Sequence, residues 1–586
     1  MEAVSGWRRW APVAWVAVLS LAIMAPTLAP GFTLSYDMVF TPRQALLPDA
    51  LGIGGSLPRA VPQDAVVAIL ELAIPGEWLQ KVLLLAIPLL AGLGMLRLLR
   101  GAPTSARLIA ATLAVWNPYV AERLVIGHWG LLLAYALTPW ALARALDMRR
   151  GSGGAGVGLV LLIAAGSLTP SGSILVTAIA LPVAIGPGSR ASVRSRVLTT
   201  AGALACWLPW LLPALLSPAL GRVDPAGSGV FALRDEGFGS LLTAAGLGGI
   251  WNGEVVLPSR AWPTAAVLSV VLLALCAMGV APLSRLVGRA LVAWWVVVSL
   301  LGLAAALASA LLPQAWGNVL QVVPGGGILR DSHKLLAPLA LLVAAGAGAA
   351  VGQLVRRIAE PSVRGALVVL VALVPMALLP DLAWGASGRL QAVPYPPAWS
   401  QVRDTVAASD RSGDVVVLPW SAFRRFEWNA ERTVLDPAPR WLTRTSVVSD
   451  SLAVATRDGI VVVAGEDPRA REIERVLADG QPLLSVLPGL GIGWVLVEIG
   501  QSPGVPPGAL EGLVEVRPGP ELSLYAVEGP VSEADVPGYG PWIVAVDVAV
   551  AALLLGLAGV AAARGVGGAR DRRRRDRGGA GDPLVR

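Results

Sequence analysis

Apolar positions in this 586-residue chain come as long unbroken runs, separated by short clusters of polar residues. A bilayer core takes about 20 apolar residues per helix. On that rule the pattern predicts about twelve membrane helices, near residues 10–29, 78–97, 107–118, 129–147, 154–168, 172–187, 197–217, 263–283, 289–311, 334–354, 364–380 and 541–563. The fifth and sixth runs make a tight hairpin around SLTPSGS and are short for full spans, so either also reads as re-entrant.

From 381 to 540 the period changes. Strand-like runs (DVVVLPW, GIVVVAG, GWVLVEIG, LSLYAV) alternate with helical patterns (PAWSQVRDTVAAS, DPRAREIERVLADG), which predicts an α/β domain. The expected architecture is therefore a polytopic α-helical membrane protein with an extracytoplasmic α/β domain. Its parts are a membrane region over 1–380, the outer domain over 381–540, a last membrane helix over 541–563 and a basic tail over 564–586.

Composition agrees with a membrane class, at 55% hydrophobic and 15% charged. The net charge of +7 might suggest nucleic acid. Its arginines instead fall beside every second apolar run (Arg8 and Arg9, Arg97 and Arg100, Arg149 and Arg150, Arg285 and Arg289, Arg356 and Arg357) and in the tail ARDRRRRDR. That is the positive-inside pattern, and no nucleic-acid partner is implied. It predicts cytoplasmic N- and C-termini and outer connections at 30–77, 119–128, 218–262, 312–333 and 381–540. The first run keeps no signal-type cleavage end and reads as a retained anchor. Cys206 and Cys276 both sit within apolar runs, so neither a disulfide framework nor a cysteine metal site is supported.

Polar clusters at outer connections are the candidates for chemistry, because charge in lipid is costly. In GFTLSYDMVFTPRQ, Asp37 lies in a mostly apolar setting with Tyr36 and Phe40. A carboxylate there can have a raised pKa and act as base toward a hydroxyl, or be a loop acid satisfied by water or Arg43. In VPQDAVVAILELAIPG a short helix capped by Asp64 is expected at the outer interface. In WNPYVAERLVIGHWG, Asn117-Pro118 breaks a span ahead of Glu122, Arg123 and His128. Arginine and histidine suit a phosphate, and equally snorkelling or a helix end. In GGGILRDSHKLLAP, Arg330, Asp331, His333 and Lys334 follow three glycines. This segment and Lys81 hold both lysines of the chain, and His128 and His333 are its only histidines. Interfacial anchoring needs neither a histidine nor an aspartate, so a phosphate-binding lip is favoured, with Asp331 orienting its basic neighbours. In the outer domain, Trp420, Phe423, Phe426 and Trp428 interleave with Arg424 and Arg425, a mixture that serves either sugar stacking or domain packing. P-loop, HExxH, serine-elbow, G-x-G-x-x-G and D-x-D motifs are absent. No cofactor is implied, and a divalent metal stays an open alternative.

Asp37 in a long first outer loop, NPYVAERLVIGHW, and LRDSHK before a late span together resemble the membrane-embedded GT-C-type glycosyltransferases. Among these, the large actinobacterial cell-wall arabinofuranosyltransferases that use a polyprenyl-phosphate sugar donor are nearest in pattern. The likeness covers roughly residues 1–380. Family members often carry paired acids in the first loop, whereas Asp37 stands alone. The resemblance implies sugar transfer from a polyprenyl-phosphate donor to an envelope glycan acceptor on the outer face of the cell membrane. Asp37 would be the base, and Arg123, His128, Arg330, His333 and Lys334 would bind the donor phosphate, supported by Glu122 and Asp331. Two other classes remain compatible with the sequence: a transporter or flippase of a lipid-linked precursor, and a non-catalytic envelope scaffold.

Overall fold

The computed structural model describes residues 2–54, 60–217, 226–323, 325–456, 459–532 and 537–578. Helices occupy all twelve apolar runs. Among the described residues, however, seven helices are long and apolar enough to cross a membrane: Trp10–Leu28, Gly76–Leu98, Pro263–Val287, Arg289–Leu311, Ser332–Arg357, Pro361–Leu378 and Gly540–Arg564. Val193–Ala205 and Leu208–Leu216, bent by 51°, make an eighth if counted as one span. The expected twelve is not reached among the described residues: Trp129–Arg149 has the length, at 21 residues, but not the apolarity, and elsewhere apolarity does not set length. Thr104–Val115 and Ala155–Gly166 have 12 residues each, about 18 Å of helix against a core of about 30 Å. Asn117-Pro118 ends the first of these and the SLTPSGS turn ends the second. There the Thr169 hydroxyl accepts from the Gly172 N–H at 3.1 Å and starts Pro170–Ile185.

The bundle is built around Ser332–Arg357, of whose apolar window 89% is buried. It crosses Pro263–Val287 at closest range where Gly346 meets Gly279. A Cβ on Gly279 would lie 1.7 Å from the Gly346 carbonyl oxygen, so small residues set this crossing. Gly540–Arg564, only 11% buried, lies at the edge. Of the basic tail, residues 565–578 continue this helix and 579–586 lie outside the described residues.

The short helix near 64 is present as Gln63–Leu70, but Asp64 does not cap it. Pro62 holds that position, and the Asp64 carboxylate instead accepts from Arg440 Nε at 2.9 Å, tying the first connection to the sheet-containing C-terminal domain.

That domain carries a five-stranded mixed sheet in the order Val514–Arg517, Leu522–Ala526, Ile492–Glu498, Asp414–Leu418, Ser446–Val447. The first three strands are antiparallel to their neighbours, and the last three run parallel. Side chains alternate between its faces as the period of two demands. Val416, Leu418, Val495 and Val497 pack on the Pro468–Ala478 helix through Ile473 and Val476. Val415, Val417, Trp494 and Leu496 belong to the core that runs on into the membrane bundle. The aromatic residues mostly serve packing: Phe426 stacks on Trp428 at 4.8 Å, and both meet Trp399. The sheet domain and the bundle thus share one apolar core.

Candidate active site

Asn117 is the turning point of the site. Its side chain accepts from Val120 N–H at 3.0 Å and donates back to the Leu113 carbonyl at 2.9 Å, which ends one helix and begins the next, Pro118–Val125. That short helix carries Glu122 and Arg123 inward, where both are fully buried. Gly127 follows at φ +86°, and a Cβ there would lie 2.2 Å from Met38 N. Only glycine lets the Asp37 loop come this close. The Asp37 N–H donates to the Ile126 carbonyl at 3.1 Å, and the Ser35 hydroxyl to the Val125 carbonyl at 2.7 Å.

Arg123 is the hub. Its Nη1 and Nη2 donate to the two oxygens of Asp331 at 2.5 and 2.7 Å, a bidentate pair across 208 positions of sequence. The same nitrogens lie 2.9 Å from His128 Nδ1 and 2.7 Å from His333 Nδ1. Arginine has no acceptor, so both Nδ1 atoms must be the acceptors. Each imidazole then carries its proton on Nε2. From there His128 donates to Asp37 Oδ2 at 3.0 Å, and His333 faces the Leu247 carbonyl and Glu122 Oε2, each at 3.3 Å. Tyr119 stacks on the His333 ring at 5.4 Å.

The charges follow from these contacts. Burial, and then the Lys334 ammonium, hold His128 below the usual histidine range, in keeping with the neutral tautomer. Burial is the largest single influence on Asp37 and pushes it upward, but His128, Lys334 and Arg440 together outweigh it and the carboxyl ends below its ordinary value. The sequence reading of a raised Asp37 pKa, with Arg43 as alternative partner, is corrected on both points by His128. Asp331 is likewise driven down by Arg123 against its burial. Burial and then the nearby Glu236 carboxylate push Glu122 well above the carboxylate range, and its Oε2 also accepts from the Ile250 N–H at 3.0 Å. One anion, Asp37, reaches solvent, with its side chain 44% exposed.

Lys334 Nζ stands 3.8 Å from Asp331 Oδ2 with its side chain a quarter exposed. It closes one end of an apolar groove of about 180 Å³ between Pro170–Ile185 and Arg289–Leu311, lined by Ile174, Ala178, Leu301, Ile328, Leu329 and Leu335. Arg330 stacks over Phe231 at 4.4 Å. Asp37, Glu122, Arg123, His128, Asp331, His333 and Lys334 thus join from three outer connections into one network, with Arg330 on its flank. Among the described residues no cluster of three or more His, Cys, Asp or Glu is arranged to hold a metal.

Two solved structures of arabinofuranosyltransferase AftD from mycobacteria match the chain. One matches with a TM-score of 0.57 at 20% identity, over 90% of this chain and 40% of that one. The other, a mutant of the same protein, gives 0.51 at 18%, over 89% and 42%. This is an AftD-like, GT-C-type fold. The chain spans less than half the length of the AftD chains it matches. No family model matches the sequence, and no curated protein does so.

Three contributors lay outside the sequence reading. Gly127 stood within the GHW motif, but its role needed the Asp37 loop as a neighbour. Glu254, in the 218–262 connection, accepts from the Tyr36 phenol at 2.6 Å. The hairpin Phe423–Arg425 with Thr433–Leu435 holds the Asp37 loop by its backbone: Tyr36 N–H donates to the Thr433 carbonyl at 2.7 Å, and Leu435 N–H to the Tyr36 carbonyl at 2.8 Å. No local signal in the sequence marks either contact.

Proposed function

We propose that the chain is an integral-membrane glycosyltransferase that moves a sugar from a polyprenyl-phosphate donor to a glycan acceptor at the outer face of the cell membrane. Both termini would then be cytoplasmic. The sugar read from the AftD likeness is arabinofuranose. One observation carries the reading: a half-exposed Asp37, with one oxygen fixed by His128, lies within electrostatic reach of Lys334, which lines an apolar groove.

The groove suits a prenyl chain, and Lys334 and Arg330 suit its phosphate. Arg123, His128 and His333, expected from the sequence to contact that phosphate, are better read as organisers. Arg123 is fully buried and committed to Asp331 and both imidazoles, and His128 is committed to Asp37. In the reaction, Asp37 Oδ1 takes the proton of an acceptor hydroxyl as its oxygen bonds to the anomeric carbon. The bond from that carbon to the phosphate oxygen breaks, and its electron pair leaves with the polyprenyl phosphate. Fixed cations beside the leaving phosphate favour the transition state over the ground state.

The test is transfer by purified full-length protein from polyprenyl-phosphate arabinofuranose to an arabinofuranosyl oligosaccharide. Asp37→Asn should lower kcat by about 10²–10⁴ with an unchanged melting temperature. Full activity of that variant would sink the assignment of the base.

A further inference from the structure

Beside Asp37 is a polar rim that the transfer chemistry does not use. The Tyr36 phenol donates to Glu254 Oε2 at 2.6 Å, and Arg425 Nη2 approaches the same oxygen at 3.5 Å. Arg425 Nε donates to the Thr433 hydroxyl at 3.1 Å, and the Phe423 ring stands edge-on to Tyr36 at 6.3 Å. Three segments converge here: the Asp37 loop, the 218–262 connection and the outer-domain hairpin.

These groups are not needed to dock the domain. The hairpin is already held by two backbone hydrogen bonds to Tyr36. The Arg425–Glu254 pair has side chains 59% and 62% exposed, and exposed pairs contribute about 0–1 kcal/mol. Among the described residues, the side-chain contacts to the Glu254 carboxylate end on Oε2, leaving Oε1 as an acceptor at the surface. Tyr36 itself sits at φ +45°, a left-handed conformation that costs an aromatic residue about 1–3 kcal/mol and gathers at functional sites. The result is a carboxylate, a guanidinium and an aromatic ring at the surface, one residue from the proposed base. Sugar hydroxyls both donate and accept, and a carboxylate with a guanidinium meets both needs. The apolar C–H face of a sugar ring fits against an aromatic side chain.

We propose that Tyr36, Glu254 and Arg425 form the acceptor subsite, binding a neutral polyhydroxylated glycan so that its terminal hydroxyl reaches Asp37. This rests on the reading of Asp37 as base, but its own readout is binding without turnover. The outer domain, through Arg425, is then part of acceptor selection.

The experiment uses full-length protein in lipid nanodiscs and a fluorescent arabinofuranosyl oligosaccharide, titrated by anisotropy in the absence of donor. Steady-state kinetics with polyprenyl-phosphate arabinofuranose follow. Glu254→Gln and Arg425→Gln should each weaken oligosaccharide binding about tenfold, the scale of one lost polar contact, and raise the acceptor KM in parallel. The donor KM and the kcat at saturating acceptor should not change. Wild-type binding in both variants overturns the proposal, as does a donor KM that rises together with the acceptor KM, the mark of a distorted site. A wild-type protein that does not bind the oligosaccharide overturns it as well, whatever its activity. A wild type that binds the oligosaccharide but transfers nothing sinks the glycosyltransferase reading and leaves the subsite standing.

Discussion

Among the described residues Arg123 and Arg424 are the most deeply buried arginines, one in each half, and their surroundings differ in one respect. Arg424, in the outer domain, pairs with Asp436 at 2.8 Å and with Glu498, and also donates to the Ser421 carbonyl. Asp436 in turn accepts from the Ala438 N–H at 2.8 Å. The side chains of that network turn inward on one another, and among the described residues none of them bonds to a group of the Asp37 site. Arg123 also pairs with a buried carboxylate, Asp331, but its two terminal nitrogens reach two neutral imidazoles as well, and one of these passes the constraint on to the half-exposed Asp37. A buried ion pair by itself is weak evidence for function, since well-packed apolar residues often replace one without loss. The open end through His128 is what separates an organising arginine from a structural one.

The sharpest break of this comparison is to replace each network by apolar residues. Arg123→Met alone strands the Asp331 charge and should cost about 3–5 kcal/mol of stability, and Arg424→Met, which strands Asp436 and Glu498, a similar amount. Adding Asp331→Leu to the first, and Asp436→Leu with Glu498→Leu to the second, should return most of that stability in thermal unfolding. Turnover should then diverge. The outer-domain triple variant should keep its activity. The Arg123→Met/Asp331→Leu variant should stay about 10²-fold slow, the scale of a misplaced catalytic group. Equal activity in the two rescued proteins would remove the distinction drawn between them.

A smaller effect is expected at Lys334, at the edge of the Arg123 network, 3.8 Å from Asp331. Lys334→Met leaves Arg123 paired with Asp331 and takes a cation from the groove end. The donor KM should rise about tenfold, while anisotropy of the oligosaccharide remains that of the wild type. A change in oligosaccharide affinity instead would move Lys334 from the donor side to the acceptor side.

The same contrast marks where the sequence was legible. The outer strands could be read because Val415, Val416 and Val417, like Trp494 to Val497, follow a period set by local geometry. The break at Asn117-Pro118 was legible because proline and an N-capping amide act within a few residues. Rarity singled out His128, His333 and Lys334, and the structure gathers them. Their division of labour was hidden, because Arg123 meets Asp331 across 208 positions and Glu254 meets Tyr36 across 218. Taken alone, Arg123 looks like a phosphate ligand; its pairing withdraws it from that role. Span number was not legible for the opposite reason. Apolar composition is local, but helix length depends on where a cap or proline ends the run, and the Asp64 side chain was drawn from capping by Arg440, 376 positions away.

The subtlest consequence concerns pH. Burial raises the Asp37 pKa, and His128, first through its Nε2–H, lowers it together with the Lys334 and Arg440 charges, which jointly prevail. A base must be ionised, so activity is present above the Asp37 pKa and is lost as pH falls through it. Because the folded pKa is depressed, the acidic limb of kcat/KM in the wild type should lie below the ordinary aspartate range. His128→Ala removes the donor and leaves the burial, so the limb should move to higher pH. His128→Gln, whose amide can still donate, should move it less. The corresponding loss in the Arg424 network, Asp436→Asn, should leave the limb where it is, because among the described residues no side-chain hydrogen bond of that network reaches Asp37, and its hairpin holds the Asp37 loop through backbone groups. If His128→Ala lowers the plateau while its acidic limb stays at the wild-type position, then His128 positions Asp37 without holding its charge, and the open end of the Arg123 network is steric rather than electrostatic.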